Sequence, residues 1–349
     1  MLRKVLVAVL ALTLFAAQMG RTASAAEDQP DFSERLNHLF AERARWLLSE
    51  GEPPALEPAY MTGVAQARWA LEHEQGKIRY VRQWVERRGV KMVEVKPSLY
   101  IRRLSGDGSR ARFYVGQTLQ LGYVYPGETS VNRFGVGSRH VVELREQDGA
   151  WRIHTEWYSD PLGDASEVPD VVPTVSSVPA TPVAPVGTVT RGYNREAAVS
   201  YADRYCGLAW GCGNDHRYNL KQRDFSGVGG DCTNFASQVL REGGLRVPRM
   251  IRVGVMASYL QYSGRGRLVA RGTFRDVWKR YGGRMSGPLQ AGDLVAYQLK
   301  SKMEHFAIVT GFDTRGYAMV NSHTADRYHV PFDLGWDRRT VYWLFHVSG

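Results

Sequence analysis

The chain has 349 residues, 44% of them apolar and 23% charged, and 45 Lys and Arg against 35 Asp and Glu give it a net charge of +10. These proportions exclude a disordered or fibrous chain, and at roughly 150 residues per domain the length leaves room for about two domains. Three cysteines are too few for a disulfide scaffold or a four-thiolate zinc site, and the only long apolar run is N-terminal, which argues against a polytopic membrane protein.

Residues 1–26 open with Arg3 and Lys4, continue through an apolar core from Val5 to Ala17, and reach the small residues Ala23, Ser24, Ala25 and Ala26. That is the layout of a cleaved secretory signal, with a core shorter than the roughly 20 residues a membrane span needs. A cut after Ala25 removes Arg3, Lys4 and Arg21 and no acid, leaving 42 − 35 = +7. A secreted, extracellular or wall-associated protein of that charge is suited to anionic wall polymers. No nucleic-acid motif is present, and no nucleic-acid partner is expected.

Phe32, Leu36, Leu39 and Phe40 recur at helical spacing, and Trp69, Ile78, Val81 and Trp84 resume it after Pro53-Pro54. From Val90 the pattern turns to β runs, K-M-V-E-V, A-R-F-Y-V, H-V-V-E-L and W-R-I-H-T-E-W-Y, parted by turns such as Gly106-Asp107-Gly108. Helices followed by an antiparallel meander predict a small α+β domain over 30–160. His140 and His154 have no partner cluster in the sequence and read as core or surface histidines, and this half offers no catalytic constellation. Residues 161–190 hold six of the 15 prolines and no Lys or Arg. That segment reads as an extended, semi-stiff linker to a second domain at 191–349. No internal repeat is found.

In the second half Asn194 is placed to cap a helix over Arg195–Tyr205, with Ala198, Tyr201, Ala202 and Tyr205 on one stripe. A Gly- and Asn-rich stretch leads into G-G-D-C-T-N-F-A-S-Q-V-L, where Phe235 pairs with Val239 and Ala236 with Leu240 at i,i+4. Gly243-Gly244 ends that helix. Cys232 therefore sits in a first turn, where free N–H groups and the helix dipole lower a thiol's pKa and could later hold an oxyanion. A buried structural cysteine is the competing reading. Cys206 and Cys212 could form a local disulfide, leaving Cys232 as the odd thiol. A metal reading through Cys206, Cys212, His216 and Cys232 has irregular spacing, and no metal or organic cofactor is expected.

A nucleophilic thiol needs a base. H-F-A-I-V-T-G-F predicts a strand with His305, Ala307 and Val309 on one face, and Asp313-Thr314-Arg315-Gly316 predicts the turn after it. In a hairpin about that turn His305 would face residues near 321–323, so Asn321 or His323 could orient the imidazole. Asp231 could cap the helix or hold a substrate amine, and Asn234 and Gln238 could line the site or pack the helix. Gly292-Asp293 reads as a turn into the central sheet, Asp326 as a cap after His323, and Trp278, Trp336 and Trp343 as core residues.

The segment from about Tyr193 to Val347 resembles the amidase domain of exported bacterial proteins, a branch of the papain-like cysteine hydrolases related to NlpC-type and CHAP wall hydrolases. Y-N-R-E-A-A-V-S-Y-A, G-D-C-T-N-F-A-S-Q, G-D-L-V-A-Y, H-F-A-I-V-T and S-H-T-A-D carry the resemblance. It implies Cys232 as nucleophile and His305 as base. S-H-T-A-D favours His323 as the third residue, and the Asn of papain-like enzymes favours Asn321. The expectation is a secreted, monomeric α+β protein whose papain-like domain hydrolyses amide bonds, with peptides of bacterial walls as substrate class. An acyltransferase on the same site and a non-catalytic wall-binding module are its rivals.

Overall fold

The computed structural model describes residues 31–48, 55–163, 167–169, 192–281 and 289–348. The signal-like segment and nearly all of the proline-rich stretch lie outside the described residues.

Helix α1 (Phe32–Arg45) starts where the Asp31 side chain accepts the N–H groups of Ser33 and Glu34, and it buries Phe32, Leu36, Phe40 and Ala44 on one stripe. Helix α2 (Ala65–Arg88) ends at Gly89, whose φ of 59° is the left-handed turn that glycine adopts without strain. Both helices cover one face of a meander of β1 (Lys91–Gly106), β2 (Arg110–Val124), β3 (Asn132–Gln147) and β4 (Ala150–Ser159). The four β runs of the sequence fall within these strands. His140 and His154, read from the sequence as core or surface histidines, both have acidic neighbours within this half. Buried His140 contacts Glu156 at 2.8 Å and Ser138 at 2.8 Å, and His154 approaches Glu143 at 3.3 Å.

The second half runs α3 (Arg195–Tyr205), α4 (Gly213–His216), α5 (Asp231–Glu242), α6 (Val253–Tyr262), β5 (Gly266–Thr273), α7 (Phe274–Arg280), β6 (Leu294–Leu299), β7 (Lys302–Phe312), β8 (Ala318–Ser322), β9 (Asp326–Pro331) and β10 (Val341–Val347). The result is a mixed α+β chain with antiparallel strand pairing. Asn194 caps α3 through Ala197 N–H at 3.0 Å, and α3, α5 and α6 share one apolar core over the sheet. Phe274 and Val277 of α7 belong to the core on the other face. Asp293 binds Arg195 at 2.8 Å, which anchors α3 to the start of β6. No helix among the described residues is long and apolar enough to cross a membrane.

All ten strands join one sheet, in the order β1-β2-β3-β9-β8-β7-β6-β10-β5, with β4 also on β3. Strand β3 divides one edge between two partners. Gly135, Val136 and Gly137 pair with Tyr328, Arg327 and Asp326 of β9, and from Arg139 onward β3 pairs with β4. The two halves therefore share a sheet. Side chains reinforce the junction: Trp84 and Arg88 of α2 donate to Asp333, and Tyr123 and Tyr125 donate to Asp313 at 2.7 and 2.6 Å.

The Cys206–Cys212 disulfide closes a loop that lies against β2 and β3. Thr118 donates to Leu208 O at 3.0 Å. A Cβ at Gly135 would fall 2.0 Å from Trp210 O, and one at Gly137 2.6 Å from the Leu208 carbonyl carbon, so these glycines make room for the loop. Gly135→Ala is therefore expected to cost about 1–3 kcal/mol, read as a lower denaturation midpoint with an unchanged slope.

Candidate active site

Cys232 is the second residue of α5, which begins after Gly230 and packs on β7. Its sulfur lies 3.7 Å from the Thr233 hydroxyl, and the backbone N–H groups of Phe306 and Thr233 are near enough to favour its thiolate. The Phe306 N–H is open to it because the β7–β8 ladder extends only back to Ile308, which pairs with Asn321. The sulfur thus meets β7 one residue after His305, at the point where β8 departs.

The thiol is not acidic. Cys232 is 2% exposed, and burial pushes its pKa above the ordinary value, more than the Phe306 and Thr233 N–H groups lower it. The expectation from the helix dipole is corrected here: loss of hydration outweighs the helix terminus, and the resting group is a protonated thiol.

His305 lies on the face of β7 that Ala307 and Val309 share, whereas Phe306 and Ile308 point into the core around α5. Its ring packs against Tyr297 and Trp336, with centroids 5.9 and 5.6 Å away. Its Nε2 is buried and has no hydrogen-bond partner. Among the described residues no hydrogen bond joins His305 to Cys232. Burial, with the charges of Arg327 and His323 nearby, lowers the imidazole pKa to about 3, so the ring is neutral at physiological pH.

That depression has a thermodynamic sign. Between the unfolded value near 6.5 and about 3 the unfolded chain binds the proton that the native ring refuses, so stability falls as pH drops through this window. By pH 5 the loss is roughly 2 kcal/mol. His305→Gln is expected to flatten the acid side of the stability profile by about that amount in denaturant melts from pH 7.5 to 5. A profile that keeps its full slope would show that the ring does not carry the effect.

The polar residues predicted around His305 go elsewhere. Asn321 stands opposite Ile308 because a bulge between Val309 and Gly311 shifts the hairpin register. Its Oδ1 accepts from Thr310 and from the His329 N–H, and its Nδ2 donates to Asp203. His323 is sandwiched between Tyr218 and Phe235, each 3.7 Å from its centroid. Its Nδ1 meets Asp231 at 2.6 Å and its Nε2 meets Tyr205 O at 2.5 Å. Neither residue hydrogen-bonds to His305.

Asp231 is not the cap residue, which is Gly230. Its carboxylate takes His323, Asn234 Nδ2 at 2.9 Å and the Phe225 N–H at 2.9 Å, and these partners hold its pKa below the usual value against the effect of burial. Asn234 also donates to Arg223 O, and Gln238 accepts from Tyr201 of α3 at 2.8 Å. Both therefore brace the framework behind Cys232. Asp326 accepts from Arg139 at 2.6 Å, from Tyr218 and from Leu208 N–H, tying β3 to the wall of the site. Sequence reading missed Tyr218 and Arg139 altogether, and no local motif marks either.

Cys206 and Cys212 are bonded to each other, and Cys232 is the free thiol. Among the described residues one His-Asp-Glu group has the spacing for a cation, His73, Glu74 and Asp160 in the N-terminal half. The Lys77 ammonium bonds Glu74 and Asp160 there, at 2.8 and 2.9 Å.

A family model described as "Putative amidase domain" matches residues 192–345, the part of the chain that carries Cys232, His305 and His323. No curated protein matches the chain.

Proposed function

We propose that this protein is a secreted cysteine amidohydrolase acting on amide bonds, with wall peptides as its substrate class and a papain-like arrangement of α5 against β7. The observation that carries the reading is the single free thiol at the start of α5, which packs on the strand that holds His305, inside a segment matched by an amidase model.

The chemistry follows from the two groups. His305 lies on the strand that α5 packs against, and its buried Nε2 is engaged by no hydrogen bond, so that nitrogen is free to take a proton. The ring takes the thiol proton as the Cys232 Sγ–carbon bond forms at the amide carbonyl. N–H groups of the α5 first turn steady the oxyanion. The imidazolium then protonates the departing amine, and water hydrolyses the thioester to free the carboxylate and restore the thiol. Cys232 and His305 are the reacting pair. Asp231 and His323 hold the helix start in place, and Asn321 fixes the turn of β8.

A second reading is a non-catalytic module with a structural cysteine, and the buried, protonated thiol with its neighbouring ring turned away favours it. Alkylation of Cys232 separates the two. An enzyme gives labelling that slows in His305→Gln and is blocked by an amide substrate analogue, whereas a structural thiol gives labelling indifferent to both. Mass analysis of fragments released from purified wall sacculi, with and without an added amine, distinguishes hydrolysis from acyl transfer.

A further inference from the structure

The N-terminal half shows what it could bind on the face of its meander that no helix covers. Alternation along β2 sends Ala111, Phe113 and Val115 into the core with α1 and α2 and turns Arg110, Arg112 and Tyr114 outward. Strand register then aligns these residues with their neighbours. One row across four strands reads Arg102, Tyr114, Val141 and Trp157, and the next reads Ser105, Arg112, Glu143 and Thr155. A third row joins Arg110, Arg145 and Arg152.

This end of the sheet is strongly basic. Five arginines share the face with one acid, Glu143, which is already engaged by Arg110 at 2.6 Å, Arg145 at 3.0 Å and His154 at 3.3 Å. Among the described residues Arg102, Arg112 and Arg152 form no ion pair with an acid. Asp107, in the adjoining turn, is spent on the backbone N–H groups of Ser109 and Arg110. Large aromatics stand among the cations: Tyr100 is 61% and Trp157 59% exposed, and the Arg102 guanidinium lies 5.8 Å from the Tyr114 ring centroid. Tyr100 and Tyr114 also meet, with ring centroids 6.4 Å apart, so these rings are grouped rather than scattered singly.

We propose that this face binds an acidic polysaccharide. Flat aromatic faces suit the C–H faces of sugar rings, and guanidinium forks suit the carboxylates those rings carry. Strands about 4.8 Å apart set Arg102 and Trp157 roughly 14 Å from one another, a span of several sugar units. The secretory reading of residues 1–26 favours a wall polymer over a nucleic acid, which is the other polyanion that stacks on aromatics. The face adjoins the Cys206–Cys212 loop and the Arg139–Asp326 contact. The proposal stands apart from any activity at that thiol.

The test is binding by the full-length protein to a polygalacturonate decamer, to its methyl ester, and to an oligothymidylate of equal charge, at several salt concentrations. The acidic decamer is expected to bind and weaken with salt, and the uncharged ester to bind far less. Arg102→Gln with Arg112→Gln is expected to lower affinity for the acidic decamer about tenfold and to reduce its salt dependence. Trp157→Ala is expected to lower affinity several-fold at every salt concentration, with an unchanged melting temperature in both variants. Equal binding by wild type and variants overturns the proposal. Tighter binding of oligothymidylate with the same arginine dependence also overturns it, by making the face a nucleic-acid surface.

Discussion

Cys232→Ala is expected to abolish release of fragments from wall sacculi, with a fall of at least about a thousandfold in amide hydrolysis. The size follows from chemistry. Without sulfur no thioester forms, and what remains is whatever the N–H groups of the α5 first turn and substrate binding provide. The fold should survive, because the change deletes one buried atom and costs on the order of 1 kcal/mol. Melting curves beside the digest separate loss of chemistry from loss of structure. The thiol carries a second signature. Burial holds the thiol above its ordinary pKa, so alkylation without the base, as in His305→Gln, should climb from neutral into alkaline pH rather than level off near pH 7. Identical fragments from wild type and Cys232→Ala would remove the sulfur from the mechanism.

Asp333→Ala is expected to destabilise the protein by about 3–5 kcal/mol. Asp333 is fully buried between the halves. Its carboxylate takes Trp84 Nε1 at 3.0 Å, Arg88 Nε at 3.1 Å and the Tyr317 hydroxyl at 2.6 Å, two of them from α2. Its presence holds the Arg88 pKa well above the ordinary value and outweighs the desolvation of that guanidinium. Removing it strips a buried cation of its carboxylate and leaves two further donors without an acceptor, which is the costly way to break such a group. Replacing both partners, as Arg88→Met with Asp333→Leu, should recover much of the loss. A single variant as stable as wild type in urea would mean that the junction between the halves does not depend on this carboxylate.

The parts of the site legible in the sequence were those written in local pattern. The i,i+4 pairs from Phe235 to Leu240 and the Gly243-Gly244 stop define α5, and the structure ends that helix at Glu242. The turn at Asp313–Gly316 defines the β7–β8 hairpin, yet its register escaped, because one bulge near Thr310 moves Asn321 opposite Ile308. The pairing of Asp231 with His323, 92 residues apart, had no local signal. A hint of the shared sheet was available: Gly135 and Gly137 alternate on one face of a strand, the mark of a close backbone approach.

By itself the sequence determined where most helices and strands run, which cysteine was left over, and which histidine lies in a strand beside it, because periodicity, caps and turns act within a few residues. The tertiary structure decided the partners and the protonation. Burial raised the thiol against the direction a helix terminus would favour and lowered the imidazole, Asp231 went to His323, and β3 joined β9. Those outcomes depend on which distant groups are desolvated together, and desolvation is a property of packing that no short stretch of chain contains.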